Sequence, residues 1–233
     1  MTGPVLEVTG VLKSYSGLRP LRVRALSIAP GERVALAGLD GPAAEALVNL
    51  VTGATLPDEG VVRTFGRSTA DIATGDDWLA SLDRFGIVSE RAVLLEGSTL
   101  AQNLAMPFTL EIDPVSPETL AKVTALASEC GIPLLRLTER AGDVPPAVRA
   151  RAHVARAVAL GPSLLVFEHP TASVPAPERR ALADDIARVC DTRGLAALLI
   201  TADEPFASAV AHRVLTLNGA TGELAEKKKG WWS

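Results

Sequence analysis

The sequence predicts an α/β fold, because short apolar runs that are typical of strands alternate with longer stretches of helical periodicity. Near the N-terminus, the runs at 5–11, 21–29 and 60–66 alternate in part between apolar and polar residues and are bounded by Gly or Pro. This pattern indicates half-buried strands of an antiparallel sheet. The run RVALAGL at 33–39 is instead almost continuously apolar, as is usual in a parallel sheet that is covered on both faces.

The run at 33–39 begins a predicted strand–loop–helix unit. Glycines follow it at once, and the next residues, AAEALVNLVTGA (43–54), have the apolar spacing of a helix. Similar apolar runs recur at 84–90, 163–170 and 196–204, and each ends in polar residues. Because the site of a parallel α/β sheet usually lies at the carboxyl ends of its strands, we expect functional residues at these positions.

The remaining segments complete the predicted organisation. Residues 95–160 are predicted to be mostly helical, and a last strand is predicted at 213–219. We assign residues 1–233 to a single domain, with a helical subdomain at about 95–150 and a C-terminal tail at about 221–233.

The charge balance argues against nucleic acid as a partner. Lys and Arg number 23 against 27 Asp and Glu, which gives a net charge of −4 and no basic field. No apolar run approaches the ~18 residues that a membrane span requires, and we see no secretory signal. We therefore expect a cytoplasmic protein. Cys130 and Cys190 have no CxxC or His-rich neighbour, so we expect them to be buried thiols.

Six segments together carry a resemblance to a known family. They are LKSYSG (12–17), GLDGPAAEA (38–46), TGATLPDEGVVRTFG (52–66), FGIVSERAVLLEGSTLAQNLAMPF (85–108), ARAHVARAVALGPSLLVFEHPTASVPAPERRAL (150–182) and LLITADEPFASAVAHRVLTL (198–217). In order and spacing, the chain resembles the ATPase subunit of ABC transporters over residues 4 to about 220. The resemblance implies an ABC-ATPase-like fold, with a RecA-like mixed sheet core, an N-terminal antiparallel β subdomain and an inserted α-helical subdomain.

The phosphate-loop position departs from the family's pattern GxxxxGK[ST], in which backbone N–H groups and the lysine hold the phosphates and the hydroxyl holds Mg²⁺. Ala43 replaces the last glycine, Ala44 the lysine and Glu45 the Ser/Thr. Losing the lysine costs roughly 1.5–3 kcal/mol of binding, so we expect ATP and Mg²⁺ to bind weakly or not at all. The loop shape can survive these changes. We expect Glu45 to complement the helix dipole in the first turn of the following helix.

The nucleotide-binding positions that the resemblance implies extend beyond this loop. They are Tyr15, which would stack on adenine, Gly38, Asp40, Gly41, Ala43, Ala44, Glu45 and Ala46 of the phosphate loop, and Glu90 at the position of the glutamine that senses the γ-phosphate.

The predicted catalytic positions are Glu168 and His169, where the family has an Asp–Glu pair that holds the Mg²⁺ shell and polarises the attacking water. An imidazole can accept a proton but lacks the fixed charge and reach of a carboxylate. We favour the interpretation that both residues end their strand in a polar hydrogen-bond network. The family's switch histidine corresponds to Ala202, and the aspartate that contacts the partner across the dimer corresponds to Pro175.

The segment VPPAV (144–148) replaces the serine–glycine turn that would donate N–H groups to a partner's γ-phosphate. Proline is compatible with a helix start but is a poor phosphate donor. Without these contacts, we expect the chain to be a monomer when alone. His153 and His212 have no carboxylate or cysteine at metal-ligand spacing, and we predict no metal site.

Three functions are compatible with these residues. The first, which we favour, is a non-hydrolysing scaffold or regulatory subunit that binds a membrane permease or another ABC ATPase subunit through its helical subdomain, and reaches the inner face of the membrane through that partner. The second is a transporter ATPase that uses Tyr15, the backbone of 38–46, Glu168 and His169 to bind and hydrolyse ATP. The third is a soluble binding module that takes a neutral or cationic ligand in the former nucleotide cleft.

Overall fold

Two sheets form the framework of the part of the chain that the computed structural model describes, residues 3–89 and 91–226. The strands are β1 (Leu6–Lys13), β2 (Leu21–Ile28), β3 (Arg33–Ala37), β4 (Glu59–Thr64), β5 (Arg67–Ser68), β6 (Phe85–Val88), β7 (Leu164–Glu168), β8 (Ala196–Ile200), β9 (Arg213–Leu217) and β10 (Leu224–Glu226). The helices are α1 (Gly41–Val51), α2 (Gly75–Leu82), α3 (Leu100–Ala105), α4 (Pro117–Glu129), α5 (Pro146–Val158), α6 (Ala176–Arg193) and α7 (Glu204–Val210), with short 3-10 helices at Thr69–Asp71 and Leu134–Thr138.

The N-terminal sheet is antiparallel, as the alternating runs predict. Its strand order is β2-β1-β4-β5, and β1 pairs in antiparallel register with both β2 and β4. In β2, Leu21, Val23 and Ile28 are buried while the intervening Arg22 and Arg24 are exposed. One face of this sheet therefore packs on the core and the other faces solvent.

The second sheet has the order β10-β9-β3-β8-β7-β6 and is mixed. All pairings among β3, β6, β7, β8 and β9 are parallel, and β10 joins β9 in antiparallel register. Every residue of β8 is buried, because layers of structure cover both faces of the sheet. The predicted α/β fold with a mixed sheet core and an antiparallel β subdomain is confirmed.

Alternate residues of β7 pack into two separate hydrophobic clusters. Leu164 and Val166 belong to the cluster that contains α1 and the antiparallel strands. Leu165 and Phe167 belong to the cluster that contains the helices α3 to α7. Because side chains of a strand point alternately to opposite faces, β7 joins the two layers and fixes Glu168 at the edge between them.

The chain between β6 and β7 is helical, as predicted. The hydroxyl of Thr99 caps α3 in a reciprocal capping box with Gln102, and Ser116 caps α4. Buried Asn103 accepts from the N–H of Leu95 and donates to its carbonyl oxygen, which ties the preceding segment to α3. No helix of the described part of the chain is long and apolar enough to cross a membrane.

Two elements of the fold were not among the sequence expectations. Helix α2 was not expected, and Leu224–Glu226, inside the predicted tail of about 221–233, form β10. The lysines and tryptophans of the predicted tail lie outside the described residues. Cys130 and Cys190 are buried and unpaired, as expected, and burial raises the pKa of each thiol to about 12.

Two glycines at the predicted phosphate loop provide a matched test of this backbone. Gly38 has a φ of +89°, and a Cβ atom there would lie 2.6 Å from the carbonyl oxygen of Leu217, whereas a Cβ atom on Gly41 would have no heavy atom within 4 Å. We expect Gly38→Ala to lower the free energy of unfolding by more than about 1 kcal/mol. Gly41→Ala should keep it or raise it by up to about 1 kcal/mol, since alanine favours the helix. Chemical denaturation measures both, and a Gly38→Ala variant as stable as the wild type would contradict the close approach.

Candidate functional site

The candidate site lies where β3, β7 and β8 end at one edge of the mixed sheet. The register places Leu36 opposite Ile200 and Ile200 opposite Glu168. The chain leaves these strands through hydrogen bonds from Thr201 N–H to Leu36 O, at 3.1 Å, and from His169 N–H to Ile200 O, at 2.8 Å. The segments after all three strands are therefore neighbours.

The predicted phosphate loop is largely replaced by the start of a helix. Helix α1 begins at Gly41, in the middle of the GxxxxGK pattern, and Asp40 is its N-cap. The Ala43 N–H donates to the Asp40 side chain at 2.9 Å, and the Ala44 N–H donates to the Asp40 carbonyl at 2.8 Å. Pro42 has no N–H to offer. The expectation that the loop shape survives is therefore wrong, because an internal cap lets the helix start earlier.

Two alanines of this segment pack into the core. Ala44, at the position of the family's lysine, is fully buried, and Ala46 is also buried in the cluster around α1. Glu45 is half exposed and is the fifth residue of α1, so no acidic residue lies in the first turn. Its predicted position in the first turn is wrong, since Asp40 and not Glu45 interacts with the helix N-terminus.

Arg91 joins the two acidic residues of the site. Its guanidinium donates through Nη2 to Glu168 Oε2 at 2.8 Å and through Nη1 to Glu45 Oε1. The side chain of Glu168 is only 12% exposed, whereas those of Arg91 and Glu45 are 46% and 50% exposed. One cation thus links the end of β7 to the second turn of α1. No sequence pattern pointed to Arg91, although it is the first cation after β6. Glu90, which precedes it, lies outside the described residues.

Tyr15 lies in a cavity of about 340 Å³ beside the start of α1. The cavity also contains Gly38, Asp40 and Ala43, so four of the predicted binding residues come together there. Partial burial, and then the negative charge of Asp40, raise the pKa of the Tyr15 phenol. Gly41 begins the helix and is not part of this lining.

Glu168 and His169 line a different, smaller cavity of about 80 Å³, together with Arg149 and His153. His169 has a left-handed backbone with φ of 48°, and its Nε2 is buried without a hydrogen-bond partner among the described residues. Glu168 therefore takes part in a polar network through Arg91, but the Nε2 of His169 does not. Burial, and then the charges of Arg156 and Arg149, lower the pKa of His153, which keeps its imidazole neutral at pH 7.

The three remaining family positions begin or flank helices. Pro175 is the N-cap residue of α6, and Pro145 is the N-cap residue of α5 with Pro146 at its first position. Ala202 precedes Asp203, whose side chain accepts from Phe206 N–H at 3.1 Å and caps α7. None of these three prolines has an N–H to donate, and alanine has no side-chain donor.

A groove of about 370 Å³ lies on another face, between β6 and α5. Its walls are mostly apolar and include Leu82, Phe85, Ile87, Met106 and Leu160, with Asp83 and Arg156 as charged residues. Ala92, from the segment that follows Arg91, also lines it.

Comparison with known proteins agrees with this architecture. A family model described as "ABC transporter" matches residues 21–172. The Fe(3+) ions import ATP-binding protein FbpC 2 of Rhodococcus jostii (strain RHA1) is 29% identical over 226 residues, which are 95% of this chain and 61% of the relative. The methionine import ATP-binding protein MetN of Brucella abortus (strain 2308) is 26% identical over 235 residues, which are 99% of this chain and 61% of the relative. The chain therefore spans about three-fifths of the length of these relatives.

Two solved structures have the same fold. The dimeric ATP-binding cassette MJ0796, in a post-hydrolysis state bound to ADP and Pi, has a TM-score of 0.77 at 20% identity, covering 97% of this chain and 100% of that one. The cbiO1 protein from Clostridium perfringens, part of the ABC transporter complex cbiONQ, has a TM-score of 0.76 at 17% identity, covering 96% and 87%. At these identities the likeness shows the fold alone.

Substitutions of His169 test whether this position is strained. Glycine adopts a positive φ without steric cost, whereas a β-branched side chain rarely does. We expect His169→Gly to raise the free energy of unfolding by about 1 kcal/mol, because it removes both the backbone strain and the unpaired Nε2. His169→Val should lower it by about 1–2 kcal/mol. Chemical denaturation of both variants measures the difference, and a His169→Gly variant less stable than His169→Val would refute the strain.

Proposed function

Because this chain belongs to the ABC transporter family, we propose that it is a non-hydrolysing scaffold or regulatory subunit of a transport complex. The observation that carries this proposal is the capped start of α1, where the family's pattern would hold phosphate. A helix N-terminus binds an anion through its free N–H groups. Here Pro42 has none, and the Ala43 N–H already donates to the Asp40 carboxylate at 2.9 Å. A phosphate would have to displace the Asp40 carboxylate, which is also negatively charged.

The positions that would hold the metal support the same conclusion. Mg²⁺ binds through oxygen ligands and keeps several waters, and it shares its site with substrate phosphates. Glu45 and Glu168 are both engaged by Arg91, so a divalent cation would have to compete with a guanidinium already in place. With Ala44 at the position of the lysine, we infer that the residues present do not fit Mg-ATP, and that His169 does not act as a catalytic base.

The residues at the positions that would contact nucleotide across a dimer also support the proposal that this chain does not form a nucleotide-dependent dimer. Pro145 and Pro146 start α5 without N–H groups that could reach a partner's phosphate. Pro175 and Ala202 provide no polar side chain at the two other family positions. We infer that the chain is a monomer when alone and that a competent partner subunit would not restore a complete composite site.

The groove between β6 and α5 supports a protein partner. Its apolar walls with one acidic and one basic side chain fit a short amphipathic helix. The relatives from Rhodococcus jostii and Brucella abortus are named as import ATP-binding proteins, and cbiO1 is described as part of a transporter complex. We infer that this chain likewise docks on a membrane permease, at the cytoplasmic face, through the surface where its helical subdomain meets the sheet.

Calorimetric titration with Mg-ATP and an assay of phosphate release test the missing nucleotide chemistry. We expect the wild type to release no phosphate above the blank and to bind Mg-ATP at millimolar affinity or weaker, since about 1.5–3 kcal/mol of phosphate contact is lost and a carboxylate near the phosphate adds repulsion of about 1 to a few kcal/mol. Asp40→Gly, which frees the Ala43 N–H, should bind more tightly than the wild type. Asp40→Asn keeps the capping oxygen, removes only the charge and should lie between them.

Two outcomes of this titration would change the assignment. Micromolar binding with turnover by the wild type would refute the non-hydrolysing subunit and favour an ATPase with unusual residues. Adenosine binding in the Tyr15 cavity that gains nothing from added phosphates would favour the binding module instead.

A substitution in the groove tests the docking surface. Leu160 lines the groove and is 62% exposed, whereas Leu56 is 48% exposed and lies outside it. Because both are exposed, aspartate at either position should leave the fold intact. We expect Leu160→Asp to reduce recovery of the chain with membranes of its native host about tenfold, and Leu56→Asp to leave it unchanged. Equal recovery of the two variants would place the docking surface elsewhere.

A further inference from the structure

We propose that Arg91 is a built-in replacement for a divalent cation: it neutralises Glu45 and Glu168 together and thereby positions the segment 91–93 that borders the docking groove. The proposal goes beyond the loss of nucleotide chemistry, since it assigns a positioning role to a residue of this chain. It rests on the proposed function only in taking the groove as the docking surface.

Arg91 forms ion pairs with two carboxylates at once. A guanidinium presents its N–H donors in a planar fork, so one Arg91 side chain reaches two carboxylates from different elements. It contacts Glu168 Oε2 at 2.8 Å at the end of β7 and Glu45 Oε1 on α1. These two elements are far apart in sequence, and this cation joins them at the edge of the sheet.

Arg91 balances the negative charges of Glu45 and Glu168. Glu168 is largely buried, with 12% of its side chain exposed, and no other cation contacts either carboxylate within the described ranges. Without Arg91, the carboxylates of Glu45 and Glu168 would lose the cation that they now share. Carboxylate oxygens are the ligands that Mg²⁺ and Mn²⁺ take, with water completing the shell. Arg91 therefore fills the position that a metal ion would otherwise fill.

The segment 91–93 connects the ion pairs of Arg91 to the groove. The segment 91–93 is held from its other side, where Arg156 Nη1 donates to the carbonyl oxygen of Val93 at 2.8 Å. Ala92 lies between these two anchors and lines the groove, as Arg156 does. Since both anchors belong to the chain itself, the groove is bordered by a fixed segment without nucleotide or metal.

Thermal unfolding of the full chain in chelator and in millimolar Mg²⁺ or Mn²⁺, without nucleotide, tests this role. Neither the wild type nor Arg91→Lys, which keeps the charge, should change its unfolding midpoint when metal is added. Arg91→Gln should unfold about 2–4 °C lower in chelator and regain that loss with metal, because a ligand that binds only the folded state stabilises it. The double variant Arg91→Gln/Glu168→Gln should lose the response to metal.

The outcomes separate this proposal from the proposed function. A wild type that responds to the metal, or an Arg91→Gln variant that does not, would overturn the role of Arg91 whatever the ATP titration gives. If Arg91→Gln folds only when metal is present, the proposal is supported, and if it fails to fold in both conditions, it is overturned. Phosphate release by the wild type would refute the proposed non-hydrolysing function, but the metal response of the Arg91 variants would still support or overturn the role of Arg91.

Discussion

The parallel pairing of β3 with β8 and of β8 with β7 is the constraint on which the rest of the structure depends. The strands are buried on both faces, so their backbone groups have no water to bond and must pair with each other. The register then brings Ala37, Glu168 and Ile200 to the same edge of the sheet. Whatever residues follow these strands become neighbours, whether or not they keep the chemistry that this edge usually serves.

At that edge several polar groups of the chain satisfy one another, although the buried Nε2 of His169 has no partner among the described residues. Asp40 accepts from the N–H of Ala43, Arg91 links Glu45 to Glu168, and Asp203 caps α7 while pairing with Arg179 at 3.0 Å. Ion pairs that are partly exposed contribute only about 0–1 kcal/mol each to stability. Their importance here is that they occupy donors and acceptors, because an outside ligand must first break an internal contact that is already made.

The sequence was sufficient for the fold because the strands of the mixed sheet are short apolar runs with clear boundaries, and the alternating N-terminal runs have one buried face. Helix α2 was not predicted because it has only eight residues, which is shorter than the window in which a helical period can be recognised, and none of them is buried. The site was predictable only in part. Tyr15, Gly38, Asp40 and Ala43 do meet, but the early start of α1 depends on a side-chain cap. Arg91 is separated in sequence from Glu45 by 46 residues and from Glu168 by 77 residues, so no local sequence pattern could reveal these contacts.

The Asp40 cap occupies the start of α1 with a ligand that belongs to the chain itself. A soluble anion competes for a binding site in proportion to its concentration, and it leaves when that concentration falls. A tethered carboxylate is present at a constant and high effective concentration, set by the three residues of chain that hold it beside the Ala43 N–H. A phosphate compound therefore has to compete for the start of α1 with an internal carboxylate whose effective concentration does not change.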